Sequence, residues 1–327
     1  MDLLCVGEML IDFTPGSTPD EFTANPGGAP ANVAVMAARS GMDVGFLGKL
    51  GKDDFGKRLV TVLEAEKIRI LCPDLTDEAI TTLAFVHIGS EGERSFTFAR
   101  KPGADILLSE EDVKEEDIED SRMLHTGSFS LSDEPSRSAV KKAMRLARKS
   151  ERIVSFDINY RDMIWPDEEA CRKQVDEVMP FCDLVKISEE ELGFIGIEDQ
   201  IEEYMIKNRI TLLVETLAEK GARYYFRRSG GSVMSDTIPG RKVYPIDTTA
   251  AGDAFWGGFL AKLLSFGIKS PSEITEDMIR SAVMYGNVAG SLCVQGWGGI
   301  PALPEKKRID DALSQLAASV SEALEKA

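Results

Sequence analysis

The sequence predicts an α/β fold: a three-layer sandwich with a mostly parallel central sheet, plus a small β lid inserted at about residues 12–25 and 79–101. Three observations predict it. Short apolar runs alternate with helix-like segments of ten or more residues along most of the chain, which calls for right-handed crossovers and parallel strands. Two β-rich runs, 79–88 and 94–100, are joined by Gly89-Ser90-Glu91-Gly92-Glu93 with no helix between them, so they read as a hairpin. No repeat, low-complexity linker or long charge block divides the chain, and residues 1–327 are read as one domain.

The elements follow in order. Residues 3–6 form an apolar run ending at Gly7, and 30–40 is Ala-rich, opened by Pro30 and closed by Gly41: strand, loop, helix. Residues 44–50 read as a strand and about 54–67 as a helix. In the hairpin, the alternation of Ser95, Phe96, Thr97 and Phe98 suits a sheet with one wet face. It is read as a lid, with an ordinary antiparallel edge as the alternative. Strands at 122–125, 152–157 and 184–187 then alternate with helices at 136–149 and 167–179. The acidic stretch 110–120 reads as a solvated helical face. Residues 242–246 read as a strand, and Phe255, Phe259, Leu260, Leu263 and Leu264 after it fall at helical spacing.

Composition narrows the function. The 327 residues are 43% hydrophobic, enough for a substantial core. Their 55 Asp and Glu against 38 Lys and Arg give a charge of −17, which disfavours nucleic acid and anionic membranes as partners. An anionic substrate needs local compensation. Five scattered cysteines (Cys5, Cys72, Cys171, Cys182, Cys293) without a CxxC pair suggest buried thiols in a reducing, cytoplasmic compartment. The start of the chain lacks the pattern of a signal peptide, and no stretch approaches a membrane span.

The chemistry concentrates in Asp247-Thr248-Thr249-Ala250-Ala251-Gly252-Asp253. Small residues opening a helix let backbone N–H groups approach an anion, and the helix N-terminus adds about half a positive charge. That makes a phosphate cradle. In most proteins an Asp in the first turn only favours the helix dipole, but beside a cradle Asp253 can accept the proton of an attacking hydroxyl. A second segment, Asn25-Pro26-Gly27-Gly28-Ala29-Pro30-Ala31-Asn32, permits close backbone approach to a polyol, with Asn32 offering donor and acceptor and Asp12 a carboxylate. Alone, it is ordinary turn and cap chemistry. Residues 51–58 imitate a Walker A loop but lack the Ser or Thr after Lys57, and place Asp53 and Asp54 where amides should face phosphate. No GxGxxG follows a strand, no GxSxG elbow occurs, and the two histidines, His87 and His125, form no zinc motif.

With these residues in hand, the chain resembles the PfkB carbohydrate kinase family, also called the ribokinase family, and within it the fructokinases. The resemblance runs from Gly7-Glu8-Met9-Leu10-Ile11-Asp12 to Gly299-Ile300-Pro301-Ala302-Leu303-Pro304 and rests on two signatures, from Gly27 through Gly56 and from Asp247 to Phe255. It implies a ribokinase-like domain and ATP-dependent phosphorylation of a sugar, D-fructose at O6, with Asp253 as base. The amides of Ala251, Gly252 and Asp253 would form the anion hole, with Arg161 assisting. Asp12, Gly27, Gly28, Asn32, Arg100 and Asn159 would hold the sugar. Ser188, Thr216, Ala218, Gly221 and Asn287 would surround the nucleotide, Glu191 would organise Mg²⁺ through water, and Asp247 and Thr249 could build a K⁺ site. The resemblance also implies a homodimer through the lid.

Three departures stand out: Ala250 and Ala218 replace usual glycines, and Ser188 an Asn. A Cβ at residue 250 is expected to suit the cradle only at negative φ. Two alternatives stay open. A 2-keto-3-deoxygluconate kinase would clamp a carboxylate with Arg100 and Arg161, and a non-catalytic sugar-binding protein would have lost its ATP side.

Overall fold

Runs such as Leu3–Val6 and Met123–Gly127 are buried along their whole length, the mark of strands covered on both faces. In the computed structural model, which describes residues 1–16, 18, 20–88 and 94–325, they lie in a sheet with helices on either side. The strands are β1 (Leu3–Val6), β2 (Leu10–Pro15), β3 (Phe22–Gly27), β4 (Val44–Leu47), β5 (Arg69–Ile70), β6 (Leu83–Ile88) and β7 (Arg94–Ala99). They continue as β8 (Met123–Gly127), β9 (Ile153–Asp157), β10 (Leu184–Ser188), β11 (Leu212–Thr216), β12 (Gly221–Arg227) and β13 (Val233–Pro239). Among the described residues, nine form one sheet in the order β13-β12-β11-β10-β9-β8-β1-β4-β5. It is parallel from β11 to β5, and only β12 and β13 run antiparallel at one edge.

Strand alternation divides the core in two. Along β1, Leu3 and Cys5 enter one cluster and Leu4 and Val6 the other. Helices Ala29–Arg39, Asp54–Ala65, Ala251–Leu264 and Glu276–Cys293 cover the first face, and Ser136–Lys149, Glu168–Val178 and Ile201–Asn208 the second. The α/β three-layer sandwich expected from the alternation is the architecture found. The helix opened by the small-residue motif is anchored hardest. Trp256 is fully buried, stacks on Phe259 at 4.7 Å, and donates from Nε1 to the Ser155 hydroxyl at 3.0 Å. The same hydroxyl meets His125 Nδ1 at 3.0 Å, and burial, aided by the Lys186 charge, pushes that imidazole down to about 3. Neutral His125 and Ser155 thus satisfy the indole inside the core, where truncating a Trp costs about 3–5 kcal/mol.

The hairpin does not extend the main sheet. A separate four-stranded sheet, ordered β3-β2-β6-β7, pairs β2 with β3 and β6 with β7 antiparallel and β2 with β6 parallel. Phe13 and Phe85 stack at 4.9 Å on it, which ties two segments distant in sequence. The hairpin turn at 89–93 lies outside the described residues.

One local expectation changes. Residues 242–246 are not a strand: their backbone finds no ladder partner, Pro245 cannot donate, Tyr244 is exposed, and Ile246 N–H donates to the Val294 carbonyl at 2.7 Å. The Walker-like segment is helix-cap chemistry, since the Asp53 carboxylate accepts from Gly56 N–H at 2.8 Å and Thr81 N–H at 2.7 Å.

Candidate active site

Asn159 and Arg161 follow β9, Ser188 and Glu191 end and follow β10, and Thr216 and Ala218 end and follow β11, at the carboxyl ends where a parallel sheet opens a crevice for ligands. On one side, the β2–β3 ladder sets Asp12 opposite Asn25 and Leu10 opposite Gly27. A Cβ on Gly27 would stand 2.0 Å from Asp12 Oδ2, and one on Gly28, at φ +105°, would meet the Glu8 carbonyl at 2.7 Å. Only glycine lets this loop lie against the carboxylate. Glu8, which sequence reasoning did not single out, holds the loop from below. It accepts from Ala29 N–H at 3.1 Å and from the Ser130 hydroxyl at 2.7 Å, and burial raises its pKa to about 7.

Asn32, in the first turn of helix Ala29–Arg39, joins this loop to the motif 221 residues away. Its Nδ2 donates to Asp253 Oδ2 at 2.7 Å, and its Oδ1 is buried without a hydrogen-bond partner. An unmet buried acceptor is costly unless a ligand donor meets it. Around the pair the field is strongly negative. Burial, with Asp253 and Asp247 nearby, raises Asp12 to about 7 against the pull of Arg161. Burial also raises Asp253, while the Asn32 hydrogen bond, Lys186 and Arg161 restrain the rise. Arg161, whose Nη1 donates to the Tyr160 carbonyl at 2.8 Å, is close enough for its charge to act on both carboxylates. Asn159 sits two residues before it in the left-handed region, at φ +39°.

Arg100 points elsewhere. It is buried against Asp105 and Asp133, each at 2.8 Å, donates to Ser132, and covers the Phe129 ring at 4.5 Å. Such a desolvated cation stays where its counter-charges are, so it is not a spare clamp.

On the other side of Asp253 lies a cavity of 420 Å³. Ser188, Thr216, Ala218, Gly221, Ala251, Gly252 and Asn287 all line it. Sequence reasoning missed Arg241 there, whose Nη1 is buried without a hydrogen-bond partner. The departures from glycine are corrected here: Ala250 has φ +59° and Ala218 φ +50°. Both occupy the left-handed pocket that a Cβ tolerates at a cost of about 1 kcal/mol, so alanine keeps the glycine-like backbone instead of requiring negative φ. Ala250 is the N-cap of the motif helix; the Gly252 and Asp253 amides after it have no intrahelical acceptors, Ala251 N–H donates to the Thr248 carbonyl at 3.3 Å, and the helix ladder begins with Ala254 N–H on the Ala250 carbonyl at 2.8 Å.

Ser188 caps helix Glu189–Ile195 in a capping box with Glu191. Glu191 accepts from Ser188 N–H at 2.8 Å and Tyr160 N–H at 2.7 Å. Asp247 is similarly engaged, with Thr249 N–H at 2.8 Å and Gly298 N–H at 2.9 Å. Among the described residues, no group of three or more His, Cys, Asp or Glu is placed to hold a metal. Any cation here would draw on oxygen ligands supplied partly by the substrates. Sequence reasoning also missed Lys186, whose Nζ lies 2.9 and 3.0 Å from the two Asp157 oxygens, buried in β10. A lysine among Leu184, Val185 and Ile187 was the available signal.

An α/β sheet crevice that sets a carboxylate on an amide cradle, between a polyol-sized loop and a nucleotide-sized cavity, defines a sugar phosphotransferase. The pattern of the pfkB family carbohydrate kinases matches residues 1–306, and the chain belongs to that family. It is 37% identical to a probable fructokinase-7 of Arabidopsis thaliana, over 95% of this chain and 92% of the relative. Among solved structures, fructokinase from Xylella fastidiosa with bound ATP superposes with a TM-score of 0.87 at 31% identity, covering 97% of this chain and 99% of that one. A double mutant of Vibrio cholerae O395 fructokinase, in a fructose, ADP and potassium ion bound form, gives 0.83 at 31%, over 95% and 97%.

Proposed function

We infer that this carbohydrate kinase is a fructokinase, moving the γ-phosphoryl group of ATP onto O6 of D-fructose. One observation carries the reading: the Asp253 carboxylate, oriented by Asn32, stands between the Asp12 and Gly28 loop and the cavity lined by Ala251 and Gly252. Sugar hydroxyls would donate to Asp12 and to Asn32 Oδ1, with Asn159 at the rim. Asp253 would take the proton of the attacking hydroxyl while the amides of Ala251, Gly252 and Asp253 meet the charge on the transferring group. Arg161 would balance the carboxylates against that charge.

ATP would occupy the cavity with its phosphates toward Gly252. Mg²⁺ would be held by nucleotide oxygens and, through water, by Glu191; when bound it supplies charge neutralisation. Asp247 and Thr249 offer hard oxygen donors suited to K⁺. The small sheet would close over the sugar to exclude water, and exposed Phe22 on it supports pairing with a second copy. The five buried, unpaired cysteines support a reducing compartment such as the cytoplasm. No helix among the described residues is long and apolar enough to cross a membrane.

The engagement of Arg100 with Asp105 and Asp133 speaks against a carboxylate clamp, and the left-handed Ala250 and Ala218 speak against a disabled ATP side. A coupled ADP-release assay across fructose, ribose and 2-keto-3-deoxygluconate tests the reading. Turnover with fructose dominant is expected; dominance of the keto acid, or none with any sugar, overturns it.

A further inference from the structure

We propose that Lys186 is a catalytic residue whose ammonium meets the γ-phosphoryl group during transfer, beside the amides of Ala251, Gly252 and Asp253. This rests on the kinase reading above. Burying an ammonium costs several kcal/mol, and a buried ion pair is often no better for stability than an apolar one. Folding alone therefore gives β10 little reason to carry this lysine among Leu184, Val185 and Ile187. Its setting gives a better one. A Cβ on Gly252 would lie 3.5 Å from Lys186 Nζ, which puts the ammonium against the first turn of the motif helix, and Gly252 itself lines the nucleotide cavity.

Asp157 receives Nζ at 2.9 and 3.0 Å, which takes at most two of its three N–H donors. Burial pulls the ammonium down, but Asp157 and Glu191 outweigh it and hold its pKa above the ordinary value. The lysine therefore stays charged. A polyanionic phosphoryl group entering among Asp12, Asp157, Asp247 and Asp253 meets strong repulsion, and a fixed cation relieves it most at the point of transfer.

In the step itself, a lone pair of the sugar O6 forms the new O–P bond. The bond from the γ-phosphorus to the bridging oxygen breaks, its electron pair leaving on ADP, and the O6 proton passes to Asp253. Lys186 keeps its protons and contributes charge alone.

The prediction separates γ-phosphoryl contact from general nucleotide binding. In Lys186→Met, turnover should fall by a factor on the order of 10², and affinity for the β,γ-imido ATP analogue by about tenfold, with ADP affinity and fructose KM near wild type. Because that variant strands Asp157, the double variant Lys186→Met with Asp157→Asn is measured alongside. Both should show the same loss against the analogue, while retained ADP binding reports an intact fold. Equal weakening of ADP and analogue, no change in either, loss of ADP binding in both variants, or recovery of turnover in the double variant would overturn the assignment. Wild-type turnover on fructose tests the kinase reading separately: its absence sinks that reading, whereas its presence with an indifferent Lys186 variant sinks only this one.

Discussion

The two halves of the site are built from different materials. The sugar side is made of charge: Asp253 and Asp247 lie close enough to perturb Asp12, with Glu8 buried beneath the loop. The nucleotide side is made mostly of backbone and small side chains, with Ala218, Gly221, Ala251 and Gly252 forming its wall. Charge held out of water stores unfavourable energy that a ligand's hydroxyls release. Backbone turns store little, and tolerate substitution wherever φ is kept. Changes on the sugar side should therefore trade activity against stability, and changes to the small residues of the nucleotide wall should do neither strongly.

The largest break in that comparison comes at its boundary. Asp253→Asn should lower turnover by a factor on the order of 10² or more while leaving fructose and ATP affinities close to wild type, as read by calorimetry. Near-normal turnover would remove Asp253 from its role.

Next, Asp12→Asn should raise the fructose KM by about tenfold or more and, against the usual trend, raise the melting temperature by a few degrees at pH 8. Asp12 ionises with difficulty in the fold, its pKa being raised from 3.8 to about 7. Its contribution to stability is therefore fully present below pH 4 and lost as the pH rises through about 7. The advantage of the Asn variant should shrink toward pH 4, which paired melting curves would show. An advantage independent of pH would mean that burial of this carboxylate is not the cause.

Smaller effects sharpen the contrast. Burial raises Asp253 above its ordinary 3.8, so kcat should decline on acidification from a pH higher than an exposed aspartate would give. The pH profile of the wild type checks it. Smallest of all, Ala250→Gly should change the ATP KM by less than about threefold, because relief of left-handed strain is offset by the added freedom of glycine.

How much of this was legible in the sequence follows the same division. Periodicity marked helix Ser136–Lys149 without error and most parallel strands to within a few residues, because strands buried on both faces and helices amphipathic across 3.6 residues leave strong patterns. Residues 242–246 read as a strand because β propensity says nothing about whether a partner is present. The hairpin was visible, but not its pairing through β2, since parallel pairing between distant segments leaves no local trace. In the site, the motif drew attention to Asp253, yet its hydrogen bond to Asn32 spans 221 residues. Lys186 and Glu8 stayed hidden for the same reason: their partners Asp157 and Ser130 lie 29 and 122 residues away. Ala250 shows the converse, a departure whose backbone could be judged only once φ was known.

A structure of the wild-type chain with fructose and the β,γ-imido ATP analogue bound tests the central claim most directly. The account predicts O6 of the sugar within about 3 Å of an Asp253 oxygen, on the line toward the γ-phosphorus, with the Gly252 amide facing that group. A sugar whose hydroxyls all lie beyond reach of Asp253, with both ligands in place, would contradict it.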